Sequence, residues 1–294
     1  MRWRDGFIAV DWGTTNRRAY LLSASGECID EFEDGKGALA ISSGGFPEAV
    51  AEIRERLGDH PLLLAGMAGS NRGWVEAPYV PCPVGMDALV KGLVWAGERE
   101  AIVPGVCFVE AGRSDVMRGE EVQLLGAAAD GLVDRTALVC HPGTHNKWAL
   151  VRRGEIDNFR TVMTGELFSL LKEHSILADL LSGEVSANDA FRDGVHQGLD
   201  EAALPAELFS IRARVLLGRA EKEDAASYAS GLLIGTDVRI GLSYPTAARV
   251  VVMGRPELTH LYAAAIAVAR RETVELDGER CFLAGARKIA EMIE

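Results

Sequence analysis

No apolar stretch in the sequence is long enough to cross a bilayer: the longest, around 261–269, falls well short of the roughly 20 residues required. Nor does the first segment carry the apolar core of a secretory signal. Cysteine is sparse and unpatterned. Cys28, Cys82, Cys107, Cys140 and Cys281 are odd in number, widely spaced and form no C-x-x-C pair, which argues against a disulfide framework and a zinc site. A cytoplasmic location is the expectation. Positive charge is also short, with 31 Lys and Arg against 43 Asp and Glu for a formal net charge of −12, so neither nucleic acid nor an anionic membrane is an expected partner. Two nucleotide-binding signatures are missing as well, G-x-x-x-x-G-K-[ST] and G-x-G-x-x-G. An anionic ligand would therefore have to be held by local backbone N–H groups, a few arginines and a metal ion.

What is present is an ordinary globular composition, 48% hydrophobic and 25% charged over 294 residues, enough for one large domain or two. Three short apolar segments, at 7–10, 19–22 and 28–32, are separated by turn residues and predict an antiparallel meander. Phe46, Val50, Ile53 and Leu57 mark one face of a helix with Pro47 early and Gly58 just past its end. "PLLLAGM" reads as a buried strand and "GEEVQLLGAAADG" as the next strong helix. The strand "TALVC" then leads into "HPGTHNKW", and a hairpin closes around Gly154. Helices are predicted over 165–181, behind a Thr164 cap, and over 203–217 and 224–241. A strand, a glycine loop and a helix follow in "RVVVMGRPELTHLYAAAIAVA", and "CFLAGARKIAEMI" is a closing helix.

The chemistry is concentrated in two loops. In "VDWGTTNRRAY" an acidic residue ends an apolar run and Gly13, Thr14 and Thr15 follow at a turn. Gly lets the backbone approach an oxygen, and the threonines add N–H and hydroxyl donors; Asp11 is placed to hold Mg²⁺ through water. Alone, D-x-G-T is as well explained by a hairpin turn. The second loop, "PGTHNKW" with Gly143 and Thr144, repeats the pattern about half a chain later, and two Gly-Thr hairpins suit one polyphosphate.

With these loops, the chain resembles the sugar-kinase, actin and Hsp70 superfamily of two-domain ATPases, and "VVVMGRPELTHLYAAAIA" is similar to that superfamily's adenosine segment. Six phrases in order, "IAVDWGTTNRRAYL", "LAGMAGSNRGWVEAPY", "VMRGEEVQLLGA", "PGTHNKW", "FRTVMTGELF" and "SGLLIG", narrow the resemblance to the 2-dehydro-3-deoxygalactonokinase family. It implies an α/β fold of two actin-like ATPase (ribonuclease H-like) domains around a central nucleotide cleft, here 1–115 and 116–294. It also implies transfer of the ATP γ-phosphoryl to the 6-hydroxyl of 2-dehydro-3-deoxy-D-galactonate, with ATP and Mg²⁺ as cofactors. The alternatives are a kinase for another sugar acid or polyol, and a non-catalytic actin-like ATPase or nucleotide sensor.

Related sugar kinases carry a catalytic Asp in a "GD" pair where this chain has "RGEEVQLLGA". The resemblance thus points to Glu120 as general base, with Glu121 the alternative, against the plain reading that both sit at a helix N-terminus for its dipole. A sugar-acid carboxylate calls for a cation, and Arg17, Arg18, Arg72 and Arg118 all lie in the diagnostic phrases; Arg118, two residues before Glu120, is favoured. Arg17 and Arg18 alternate in a strand, so at most one can face a ligand. Asn16, Arg18, Ser70, Asn71 and Trp74 complete the expected sugar-acid contacts. His145 and Lys147 beside the second loop, Gly254 and Arg255 in the adenosine segment, and Gly285 in the closing helix complete the nucleotide set. A homodimer is the base-rate expectation.

Overall fold

A computed structural model describes residues 3–200, 203–244 and 249–293. The chain divides into two compact units: Met1–Thr136 with Val151–Asn158 and Gly278–Glu294, and Ala137–Leu150 with Phe159–Asp277. Compactness thus does not follow the boundary expected at 115. Residues 116–136 and the closing helix both fall in the first unit, because their small residues pack on each other.

In the first unit β1 (Phe7–Trp12), β2 (Arg17–Leu22) and β3 (Cys28–Asp34) form the expected meander. β4 (Leu62–Gly66) and β7 (Glu100–Ile102) continue it in parallel, with β6 (Val94–Trp95) at the edge, in the order β3-β2-β1-β4-β7-β6. The central strand β1 is buried along nearly its whole length, as a strand covered on both faces requires. Helix α1 (Phe46–Leu57) buries Phe46, Val50, Ile53 and Leu57 against Ile8, Val10, Leu62 and Leu64. Not anticipated were the short helix α2 (Met86–Lys91) and a small sheet of β5 (Tyr79–Pro81), β8 (Gly105–Glu110) and β9 (Arg113–Met117). α3 (Glu120–Ala129) follows directly on β9.

The second unit builds the same plan. In its sheet β10 (Thr136–His141) is central, and β11 (Asn146–Arg152) and β12 (Glu155–Val162) form a hairpin whose tip, Val151–Asn158, is grouped with the first unit and is turned by Arg153 and Gly154 at φ 57° and 84° as a type I′ turn needs. β13 (Val250–Gly254) and β14 (Thr273–Asp277) extend it in parallel, giving β12-β11-β10-β13-β14. Helices α4 (Thr164–His174), α6 (Leu204–Leu216), α7 (Ala225–Gly241) and α8 (Pro256–Val268) match expectation in place, though α4 ends at His174 rather than near 181. α5 (Asp189–Asp200) was not foreseen, since Gly194 and Gly198 argue against a helix. Those glycines are explained by its crossing with α7: a methyl group on Gly194 would lie 2.2 Å from the Tyr228 carbonyl oxygen.

α9 (Gly278–Ile293) closes the chain against α3. A methyl group on Gly285 would lie 2.1 Å from the Val122 carbonyl oxygen, and one on Gly126 2.3 Å from that of Cys281. Gly285, expected among the nucleotide contacts, is therefore a buried helix-crossing residue, and its missing side chain is accounted for by α3. Among the described residues no helix is long and apolar enough to cross a membrane.

Candidate active site

The first Gly-Thr loop joins β1 to β2 and is braced from one side. The carbonyl oxygens of Gly13, Thr14 and Thr15 accept the N–H groups of Ala38, Leu39 and Gly37 at 3.0, 3.1 and 2.9 Å, while Gly13 N–H bonds Asn16 O at 2.9 Å. Thr14, Thr15 and Asn16 are exposed. The loop's acceptors are thus consumed from within the fold, which leaves the threonine face to solvent. Gly37, which lies outside both Gly-Thr motifs, is needed here: an added methyl group would meet Thr15 C at 2.3 Å.

The adjacent arginines separate by strand alternation. Arg17 is fully buried, bonded to Asp34, Glu52 and the Ala49 carbonyl, and stacked near Trp12 and Phe32. It ties α1 and β3 to the sheet. Arg18 lies on the opposite face, directly across from Asp11. Burial works against its charge, but Asp11, Tyr20 and Glu33 outweigh that and raise its pKa. Asn16 donates to Glu33 Oε1 at 3.0 Å, which places it beside the same group.

Helix α3 starts next to this loop because glycines allow it. A methyl group on Gly66 would lie 2.5 Å from the Trp12 carbonyl oxygen, and one on Gly119, at φ 111°, would lie 3.3 Å from Gly66 Cα. The ends of β1 and β4 and the start of α3 are thereby drawn together. The two glutamates then differ sharply. Glu121 is fully buried, both its oxygens accept Gly119 N–H at 2.8 and 2.7 Å, and burial, with Glu120 beside it, pushes its pKa up to about 8. Glu120 is half-buried, with Oε2 accepting Arg118 N–H at 3.1 Å.

Arg118 turns away from solvent. Its guanidinium donates to the Ala77 carbonyl at 2.7 Å and stacks on Tyr79 at 4.4 Å, and Nε and Nη1 are buried without a hydrogen-bond partner. It braces the loop that follows β4. In that loop Ser70 is buried and its Oγ accepts the Arg72 N–H at 3.2 Å, so its hydroxyl shapes the turn. Asn71 and Arg72 are exposed, and Trp74 is half-buried with one face stacked on Phe46 at 6.5 Å.

In the second unit, the loop at 142–145 again joins the central strand to its hairpin partner, and Thr144 and His145 are exposed. Gly165 touches it: an added methyl group would lie 2.5 Å from the Gly143 carbonyl oxygen, and Glu166 N–H bonds Thr144 O at 3.0 Å. His145 pairs with Glu166, and buried Lys147 donates to the His145 carbonyl at 3.2 Å. Gly254 ends β13 beside Pro142. Arg255 precedes α8 and accepts the Leu258 and Thr259 N–H groups on its carbonyl. An apolar pocket opens next to this loop, with Gly143, Gly165, Phe168, Leu258, Leu261 and Tyr262 among its walls. Of these, only Gly143 stood out in the sequence, because apolar helix residues look like core until their packing is known.

Thr164, expected as a helix cap, instead donates to Asp237. Asp237 itself was missed. The available signal was one acidic residue inside the otherwise apolar and small "AASYASGLLIGTDVRIG".

Two copies of one plan, each a hairpin with a Gly-Thr loop on the central strand followed by parallel strands, define an actin-like ATPase fold. The (R)-2-hydroxyglutaryl-CoA dehydratase component A of Acidaminococcus fermentans shares it, at TM-score 0.54 and 13% identity over 98% of each chain. The chain belongs to the 2-keto-3-deoxy-galactonokinase family, whose profile matches residues 11–289. It is 34% identical to the 2-dehydro-3-deoxygalactonokinase of Escherichia coli strain K12, with 98% of both chains covered. A crystal structure from Sinorhizobium meliloti, provisionally described as the same enzyme, superposes at TM-score 0.92 with 31% identity, covering 98% of this chain and 99% of that one.

Proposed function

We infer that this chain transfers the γ-phosphoryl group of ATP to the 6-hydroxyl of 2-dehydro-3-deoxy-D-galactonate, giving 2-dehydro-3-deoxy-6-phosphogalactonate and ADP. The observation that carries this reading is a family match spanning both Gly-Thr loops and the Glu120 helix. Phosphoryl transfer to an alcohol needs charge neutralised at the phosphates and a base for the hydroxyl proton. Glu120 is that base in this reading: it is half-buried at a helix start, whereas Glu121 is sealed in and held on Gly119 N–H. Thr14, Thr15, Gly143 and Thr144 supply phosphate donors, and His145 and Lys147 support the second loop.

Among the described residues, no three His, Cys, Asp or Glu side chains gather into a metal site. That fits Mg²⁺ bound through one carboxylate, water and substrate phosphates, with Asp11 as the carboxylate. When bound, the ion offsets phosphate charge. Arg18 and Asn16, with Asn71 and the free edge of Trp74, are the proposed sugar-acid contacts. Arg118, through Nη2 on the Ala77 carbonyl, and Ser70, through Oγ on the Arg72 N–H, are assigned to holding the 66–79 loop that carries the latter pair.

A coupled ADP-release assay over a panel of 2-keto-3-deoxy sugar acids and simple hexoses tests the reading. Turnover is expected with the galacto-configured acid. Activity confined to hexoses would overturn it, and preference for an epimer would move the substrate by one hydroxyl.

A further inference from the structure

Among the described residues no cation pairs with Asp237, which is fully buried in the C-terminal half of α7. An isolated buried carboxylate is costly, so such a group persists only where hydrogen bonds replace its water. Here four donors do so. Trp148 Nε1 donates to Oδ1 at 2.7 Å, and Asn146 Nδ2, Tyr262 Oη and Thr164 Oγ1 donate to Oδ2 at 2.8, 2.6 and 2.5 Å. Burial pushes the carboxyl's pKa up, and the four donors pull against it. An amide of the same shape has one acceptor oxygen and turns two N–H groups toward the donors, so it cannot replace the carboxyl group here.

The donors come from three separate elements, each attached to the proposed nucleotide half. Asn146 and Trp148 lie on β11, immediately after the 142–145 loop. Thr164 starts α4 and adjoins Gly165, which presses on Gly143 and Thr144. Tyr262 is on α8, and both it and Thr164 line the apolar pocket. A carboxylate that fixes three elements at one point holds the loop and two helix faces as a single preorganised wall.

We propose that Asp237 is the positioning residue for adenine-nucleotide binding: from behind the pocket it locks the second Gly-Thr loop, the start of α4 and Tyr262 into the geometry that receives the nucleotide. The proposal rests on the kinase reading above. Its role is indirect, acting through Asn146, Thr164 and Tyr262 rather than by touching the ligand.

The test uses calorimetric titration of the full chain with Mg·ADP and, separately, with the sugar acid. Asp237→Asn should raise the Kd for ADP about tenfold, the worth of one charge-assisted hydrogen bond, and leave sugar-acid affinity within about twofold of wild type. Tyr262→Phe keeps the ring wall and removes one donor; it should raise the ADP Kd by a smaller factor. The double variant should bind ADP no worse than Asp237→Asn alone, since the donor has lost its acceptor. Unchanged ADP affinity in both single variants, or an equal loss of ADP and sugar-acid affinity, would overturn the positioning role. If Asp237→Asn does not unfold cooperatively, the Tyr262→Phe result decides. A wild-type chain that binds the sugar acid but no adenine nucleotide would instead overturn the kinase reading, and this role with it.

Discussion

Two neighbouring glutamates in "RGEEVQ" meet opposite environments, and each makes its own prediction. Glu120→Gln keeps the shape of the side chain and removes its basicity, so kcat should fall by roughly 10² to 10⁴ with the KM for ATP little changed. Steady-state kinetics measures this, and near-normal turnover would remove Glu120 from the role. Glu121 has a folded-state pKa raised to about 8 by burial, far above that of an unfolded glutamate. Between these values the folded chain holds a proton that the unfolded chain has released, so this residue's contribution to stability declines as pH rises from about 4.5 to 8. Glu121→Gln should flatten that decline, read as denaturant midpoints across the range. A slope equal to wild type would mean Glu121 is ionised when folded.

The α3–α9 crossing gives the element scale its test. Glycines on both helices let their backbones meet, and α3 carries Glu120 at its first turn. A side chain at Gly285 must push the helices apart, so Gly285→Ala should destabilise the chain by about 1–3 kcal/mol, the usual cost of overpacking, and lower kcat by displacing α3. Chemical denaturation together with turnover checks both; an unchanged midpoint would show that the crossing yields without cost. Amphipathic α1 and the meander β1–β3 have periods written in their residues. α5 does not, because its glycines gain their meaning only from α7.

For the whole molecule, the alternative to an enzyme is a polymer-forming ATPase of this fold. The 98% coverage of the Escherichia coli kinase in both directions leaves almost no sequence that is not shared with an enzyme. Sedimentation with and without ATP and Mg²⁺ should therefore show no nucleotide-dependent pellet. Filaments that appear on adding ATP would reverse that order of preference.

The repeated strand and Gly-Thr loop and most helices were legible in the residues, because period and turn chemistry are local properties, and the kinase reading came from the resemblance of six phrases to a known family. The sequence also carried Glu120 and Asp11 as candidates. Only the tertiary structure separated Glu120 from Glu121, turned Arg17 into the fold and left Arg18 beside Asp11. It alone showed the α3 backbone against Gly285 and the four donors around Asp237. Each of these depends on what lies across the fold from a residue: burial, a distant donor or a facing backbone. Such neighbours are set by packing, which the local pattern does not encode.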